Sequence, residues 1–141
     1  MEKQLTTITV ETIVNAPVQK AWECWTNPEH VKQWNNASDD WHTTSASNDL
    51  RVGGQFSYHM AAKDGSFGFD FGGTYDAVKT NELIEYTLGD NRKVKVTFTS
   101  VNGGTKVVET FEAEETHTIE QQQTGWQNIM DNYKKHTETK A

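Results

Sequence analysis

VETIVNAPVQKAWECWTNPEHVKQWN, residues 10–35, is the stretch on which the fold turns. From Ile8 to Val14 apolar and polar residues roughly alternate, the period of a half-buried strand. Asn15-Ala16-Pro17 ends that strand, and Pro17 suits the first position of a helix, where its missing N–H is not needed. Ala21, Trp22 and Trp25 then share one helical face. Asn27-Pro28 repeats the signal, with Asn27 as a cap and Pro28 opening a second short helix that runs to about Trp34. Trp22, Trp25 and Trp34 carry too much apolar area to leave in water. They pack either into an ordinary core or into the wall of a binding cavity.

Working outward, the chain changes character after a polar connection. Between Trp41 and Glu115 there are six strand-like runs, broken at Asp49 to Gly54, Lys63-Asp64-Gly65, Thr80-Asn81, Gly89-Asp90-Asn91 and Asn102-Gly103-Gly104. Each break contains the Gly, Asn or Asp that a tight reversal requires. Such short spacing leaves no room for crossover helices, so the sheet is predicted to be antiparallel throughout. The third strand sets Phe56, Tyr58 and Met60 against Gln55, Ser57 and His59. The fourth sets Phe67, Phe69 and Phe71 against Gly68, Asp70 and Gly72. The pattern then turns helical, over roughly residues 117–137. Thr118 and Gln121 match a capping box, and Ile119, Gln122, Trp126, Ile129, Met130 and Tyr133 form a stripe. Gly125 inside that helix suggests a close approach to a neighbour. The prediction is an α+β fold in which a curved antiparallel sheet closes around one C-terminal helix, with the two short helices plugging one end.

The 141 residues are expected to form a single domain, residues 1–141, with no internal repeat or linker. Hydrophobic content is 34% and aromatic content 11%, so a few large side chains must supply much of the buried area. A net charge of −7 argues against nucleic acid or an anionic membrane as the partner. Nothing approaches a membrane span, and MEKQLTTITV lacks the apolar core of a signal peptide. A lone cysteine, Cys24, excludes an internal disulfide and fits a reducing cytoplasm, the expected location. Among helical aromatics, it reads as a small buried apolar residue rather than a nucleophile.

Read together, these segments resemble a known family. APVQKAWECWTNPEHVKQW is similar to the opening of the START-like, or SRPBCC, superfamily. DLRVGGQFSYHM resembles the Asp-x-Arg-x-Gly-Gly strand start of one branch, that of the activator of heat-shock-protein ATPase homologue. FGGTYDAVKTNELIEYTL, GGTKVVETF and GWQNIMDNYKKH match that branch's Gly-x-Tyr strand, last hairpin and C-terminal helix, in order from about Ile8 to His136. The resemblance implies the helix-grip fold, a seven-stranded antiparallel sheet around the long C-terminal helix with a cavity between them. It implies little about chemistry, since members include ligand carriers, cyclases, resistance proteins and co-chaperone domains. Where many members carry a Pro-Pro-Glu turn, this chain has Thr80-Asn81-Glu82, expected to stay clear of the cavity.

No chemical motif stands out. Gly53-Gly54, Gly72-Gly73 and Gly103-Gly104 lack the lysine of a phosphate loop. His30, His42, His59, His117 and His136 fall on five different elements or connections, and no serine lies on a nucleophile elbow. Asp39, Asp40 and His42 read as a solvated loop rather than a zinc site, and His59 as solvent-facing. No metal, cofactor or catalytic set is therefore expected. The candidate cavity residues are Phe56, Tyr58, Met60, Phe69, Phe71, Tyr75, Tyr86, Phe98, Glu109, Phe111, Trp126, Met130 and Tyr133. Such a set either fills the core or walls a ligand-sized void. Glu109 breaks the apolar rule, for it alternates in phase with Val107 and Phe111. Either a bulge turns it to solvent, or it is a buried carboxylate in the cavity.

The leading expectation is a binder of a small hydrophobic or aromatic molecule. The alternatives are a cyclase- or hydrolase-like enzyme using Glu109 with a tyrosine, and a co-chaperone-like interaction module. A monomer or weak homodimer is expected, from the exposed strand edges and acidic surface.

Overall fold

The computed structural model describes residues 6–36, 39–89, 91–114 and 117–139. The elements run β1 (Thr7–Val14), α1 (Val18–Thr26), α2 (Pro28–Trp34), β2 (Trp41–Asn48), β3 (Gln55–Ala62), β4 (Gly68–Lys79), β5 (Leu83–Leu88), β6 (Lys93–Val101), β7 (Gly104–Glu112) and α3 (Ile119–Thr139). The seven strands form one antiparallel sheet in the order β1-β7-β6-β5-β4-β3-β2. The first strand thus pairs with the last, and the connection through α1 and α2 carries the chain from one edge of the sheet to the other. Two expected boundary residues, Asp90 and Glu115, lie outside the described residues.

The local chemistry follows the sequence closely, with three differences. Pro17 caps α1 from an extended conformation, φ −67° and ψ 157°, rather than occupying its first turn. Asn27 does cap α2, its side-chain oxygen accepting from the Glu29 N–H at 3.0 Å, with Pro28 inside the first turn. Thr118 and Gln121 close the capping box of α3 reciprocally, at 3.0 and 3.1 Å. The second difference is Gly125: a Cβ there would meet nothing within 4 Å, so the glycine serves no close approach. The third is Ile119, which is 45% exposed and leaves the helix's buried stripe to start at Gln122.

Curvature comes from backbone irregularities at defined points. The pairing slips between Thr43 and Ser45 in β2 and between Tyr75 and Ala77 in β4, each slip adding local twist. Gly72 and Gly73 allow the neighbouring strands to approach β4 closely: a Cβ on Gly72 would lie 2.4 Å from the Phe56 carbonyl oxygen. The concave face carries Phe56, Tyr75, Ile84, Tyr86, Val96, Phe98, Val107 and Phe111, all buried.

Helix α3 crosses that face, burying Met130 and Tyr133. It is tied to β1 by Gln123 and Gln127, which donate to the Thr9 and Glu11 carbonyls, and by the Asn15 N–H, which donates to Glu138 at 2.8 Å. Asn132 donates to the Asn36 carbonyl just beyond α2 at 2.6 Å. Among the described residues no helix is long and apolar enough to cross a membrane.

Candidate functional site

The three tryptophans of the opening stretch divide their labour. Trp22 fills the core edge-on against Phe98, ring centroids 5.2 Å apart. Trp25 and Trp34 pack on each other at 5.2 Å and both meet Tyr133 edge-on, at 4.9 and 5.2 Å. The Trp34 indole also donates to the Cys24 carbonyl at 2.9 Å, which locks α2 onto α1. With their backs fixed in this way, Trp25 and Trp34 present their remaining surfaces to a cavity.

That cavity, of about 170 Å³, lies between the concave sheet face and α3. Of the residues expected there, Phe56, Tyr58, Met60, Phe69, Phe71, Tyr75, Tyr86, Glu109 and Trp126 line it. Four others do not: Phe98, Phe111, Met130 and Tyr133 are buried but spent on packing. Phe111 lies flat beneath Trp126, ring centroids 3.7 Å apart and planes 12° off parallel, so Trp126 covers it from the void. Tyr133 turns towards the helices and donates to the Ala21 carbonyl at 2.6 Å. Alternation on a strand or stripe tells which face a residue takes, but not which neighbour reaches the space first.

Five further residues line it: Trp25 and Trp34, which the sequence left between core and cavity wall, and Asn35, Ile84 and Ile129, which it missed. Ile84 had a readable signal, since it alternates in phase with Tyr86 and Leu88 on β5. Asn35 had none, for it follows the last turn of α2 and reaches the cavity only through the placement of that helix.

The polar side of the cavity is built from tyrosines and one carboxyl. Glu109 is 6% exposed and sits in an unbroken stretch of β7, paired across to Val10 of β1 and Val96 of β6. No bulge intervenes, so the side chain stays in phase with Val107 and Phe111 and points inward. Loss of hydration pushes its pKa up to about 8, partly offset by a hydrogen bond with Tyr86. Burial, and then the neighbouring Glu109, push the Tyr86 hydroxyl well above its ordinary value, so it stays a donor. At neutral pH the site therefore holds a protonated carboxyl.

Beside it, across the Tyr75–Tyr86 strand pair, runs a second polar chain. The Tyr58 and Tyr75 hydroxyls hydrogen-bond, Tyr75 donates to Asn48 Oδ1 at 2.6 Å, and Asn48 donates to the Thr26 carbonyl at 2.7 Å. That carbonyl belongs to the last residue of α1, so the tyrosine pair is referenced to the plug helices.

Glu109 is the one acidic side chain in the lining, which also holds no histidine or cysteine among the described residues. His59 faces outward, 2.8 Å from Asp70, as its alternation predicts. The Thr80-Asn81-Glu82 turn, with Asn81 at φ 65°, takes no part in the lining. At the sheet's far edge Phe67 and Phe69 are 61% and 42% exposed and gather with Trp41, ring centroids about 6 Å apart.

Comparison with known proteins agrees with this architecture. No curated protein matches the chain. An AHSA1-like protein from Aeromonas hydrophila, solved in solution by NMR, is 47% identical, with 93% of this chain and 91% of that one covered and a TM-score of 0.88. A Cytophaga hutchinsonii protein, also a solution structure, is 51% identical over 95% and 92% of the two chains, with a TM-score of 0.79. A crystal structure from Chromobacterium violaceum shares the fold at 20% identity and a TM-score of 0.84. The sequence model of one family, "Activator of Hsp90 ATPase homolog 1-like protein", matches residues 15–138. With seven strands curled around a long C-terminal helix, and that match over nearly the whole length, the chain belongs to the family of activator of Hsp90 ATPase homologue 1-like proteins.

Proposed function

We propose that this protein binds a small, largely aromatic molecule in the cavity between the sheet and α3. The observation that carries the reading is a buried Glu109 carboxyl, its pKa raised by loss of hydration, in a wall made almost entirely of aromatic and aliphatic side chains. A carboxyl held there without a partner from outside is costly, and the expense makes sense if a ligand completes it. The volume sets the ligand's size. An apolar cavity of about 150 Å³ accepts one benzene, so 170 Å³ suits a single ring with a short substituent.

The chemistry sets its polarity. Glu109 can give its proton to a basic nitrogen, and the aromatic rings of Trp25, Trp34, Phe56 and Trp126 in the lining favour the cation so formed. The acidic surface, at net charge −7, favours its approach.

Three probes test this: toluene, benzylamine and benzoate, by thermal shift and calorimetry. Benzylamine is expected to raise the melting temperature most, toluene less and benzoate least. Glu109→Gln should remove the amine's advantage while leaving toluene unchanged. If no single-ring compound binds, the reading fails.

A second reading attaches to the exposed cluster of Trp41, Phe67 and Phe69, which offers a protein partner an aromatic surface and reaches the cavity only through Phe69. The family name speaks of activating an ATPase. Under that reading Phe67→Ser would abolish stimulation of a heat-shock-protein ATPase, and Glu109→Gln would leave it intact.

A further inference from the structure

Histidines that look scattered along the sequence do not stay scattered. The fold gathers α1, α2 and the last turns of α3, and with them Cys24, His30 and His136. One donor atom from each lies within 4.8 Å of the other two. His30 Nδ1 and His136 Nε2 face each other at 2.8 Å, with ring centroids 5.0 Å apart. Two imidazole nitrogens at that distance share a proton, one donating and one accepting, and a metal ion can take the proton's place.

The donors are also held from behind. Cys24 is 2% exposed, and its carbonyl accepts from the Trp34 indole at 2.9 Å. Asn27 caps the helix that carries His30. The Asn15 N–H and Lys134 both engage Glu138, which fixes the end of α3 around His136.

We infer that Cys24, His30 and His136 form a binding site for a thiophilic divalent transition-metal ion, with zinc as the reference case. Tetrahedral zinc, with bonds of about 2.0–2.1 Å to nitrogen and 2.3 Å to sulfur, sets its donors roughly 3.3–3.6 Å apart. The two imidazoles would part by about 0.5 Å from their 2.8 Å contact. The widest pair, within 4.8 Å, would close by no more than about 1.2 Å. Side-chain torsions supply movements of that size with the helices in place. One thiolate and two imidazoles suit zinc and its neighbours and disfavour magnesium or calcium, which require oxygen.

The step balances without any redox partner. The thiol proton leaves to solvent as the metal–sulfur bond forms. The proton between the rings moves to the other nitrogen of the donating imidazole as both facing nitrogens bind the ion. Three protein donors leave the fourth tetrahedral position to water or an added ligand. Because Trp25 and Trp34 follow the same two short helices, the ion would clamp one wall of the cavity to α3. The site is nevertheless independent of what occupies that cavity.

Titration of chelator-treated protein with Co²⁺ near neutral pH, followed by displacement with Zn²⁺, tests the site. One equivalent of cobalt is expected to bind at micromolar concentration. It should show a thiolate-to-cobalt charge-transfer band in the near ultraviolet and the strong visible bands of a tetrahedral ion. Zinc should erase both and raise the melting temperature with increasing concentration, as mass action on the folded state requires. Cys24→Ala should remove the charge-transfer band, and His30→Gln and His136→Gln should each weaken binding at least tenfold. Circular dichroism and unfolding in chelator check that each variant folds. Should Cys24→Ala fail to fold, the part-buried His30→Gln carries the test alone. No binding at micromolar metal, cobalt spectra without a thiolate band, or affinity unchanged in the histidine variants would overturn the inference. The three residues would then be a hydrogen-bonded packing contact.

Discussion

Replacing Glu109 by Gln should change the pH dependence of stability more than the stability itself. In the folded protein the carboxyl stays protonated up to about pH 8, whereas its ordinary value is 4.5. Between those limits the native state holds a proton that the unfolded chain has released. Stability therefore falls as pH rises, at up to about 1.4 kcal/mol per pH unit. The contribution is fully present below pH 4.5 and lost by about pH 8, a span that sets a ceiling of about 5 kcal/mol. Water entering the cavity beside the carboxylate will reduce that figure, but not its sign.

Glutamine has the same shape, cannot ionise, and keeps an oxygen for the Tyr86 hydroxyl. Urea unfolding of both proteins from pH 5 to pH 8.5 is the assay. The difference between the two curves isolates Glu109, because every other titrating group is common to both. The wild type should lose several kcal/mol relative to Glu109→Gln across that range, with equal m-values. Parallel curves would mean that the carboxyl ionises normally and is hydrated, and the argument from burial would be refuted.

Other outcomes follow from the same geometry. Trp126→Ala should cost about 2–3 kcal/mol by denaturant unfolding: the ring stacks on Phe111 but borders the cavity, so it falls short of a fully packed tryptophan. Tyr133→Phe should cost about 0.5–1.5 kcal/mol, since it removes the buried hydrogen bond that the hydroxyl donates to the Ala21 carbonyl on α1. Gly125→Ala should stabilise by about 0.5–1 kcal/mol, because the added methyl meets open space on a helix. Light scattering at micromolar concentration should show a monomer or weak dimer, and a stable tetramer would contradict it.

The fold was readable because its signals are local. Asn27-Pro28 and the Thr118–Gln121 box each act within four residues and were found where expected, and the strands begin and end at the glycine- and asparagine-bearing breaks among the described residues. Strand phase was legible too, but it left Glu109 between two faces: only the unbroken pairing of β7, without a bulge, sets it inward with Val107 and Phe111. The boundary between filled core and cavity was not legible. Phe111 and Trp126 are equally apolar and equally in phase, yet one is covered by the other. Nor could the sequence show that His30 and His136, 106 residues apart, meet beside Cys24. That meeting depends on how α3 crosses the plug helices, a property of the whole sheet's curvature rather than of any neighbouring residues.

Intermolecular NOEs from bound benzylamine to the isotope-labelled protein test the central claim most directly. The ring protons should contact Trp25, Phe56 and Trp126, and the methylene beside the nitrogen should contact Tyr86 and Glu109. Contacts confined to the outer surface, or to the Trp41 and Phe67 cluster, would contradict the account and leave the cavity without a ligand.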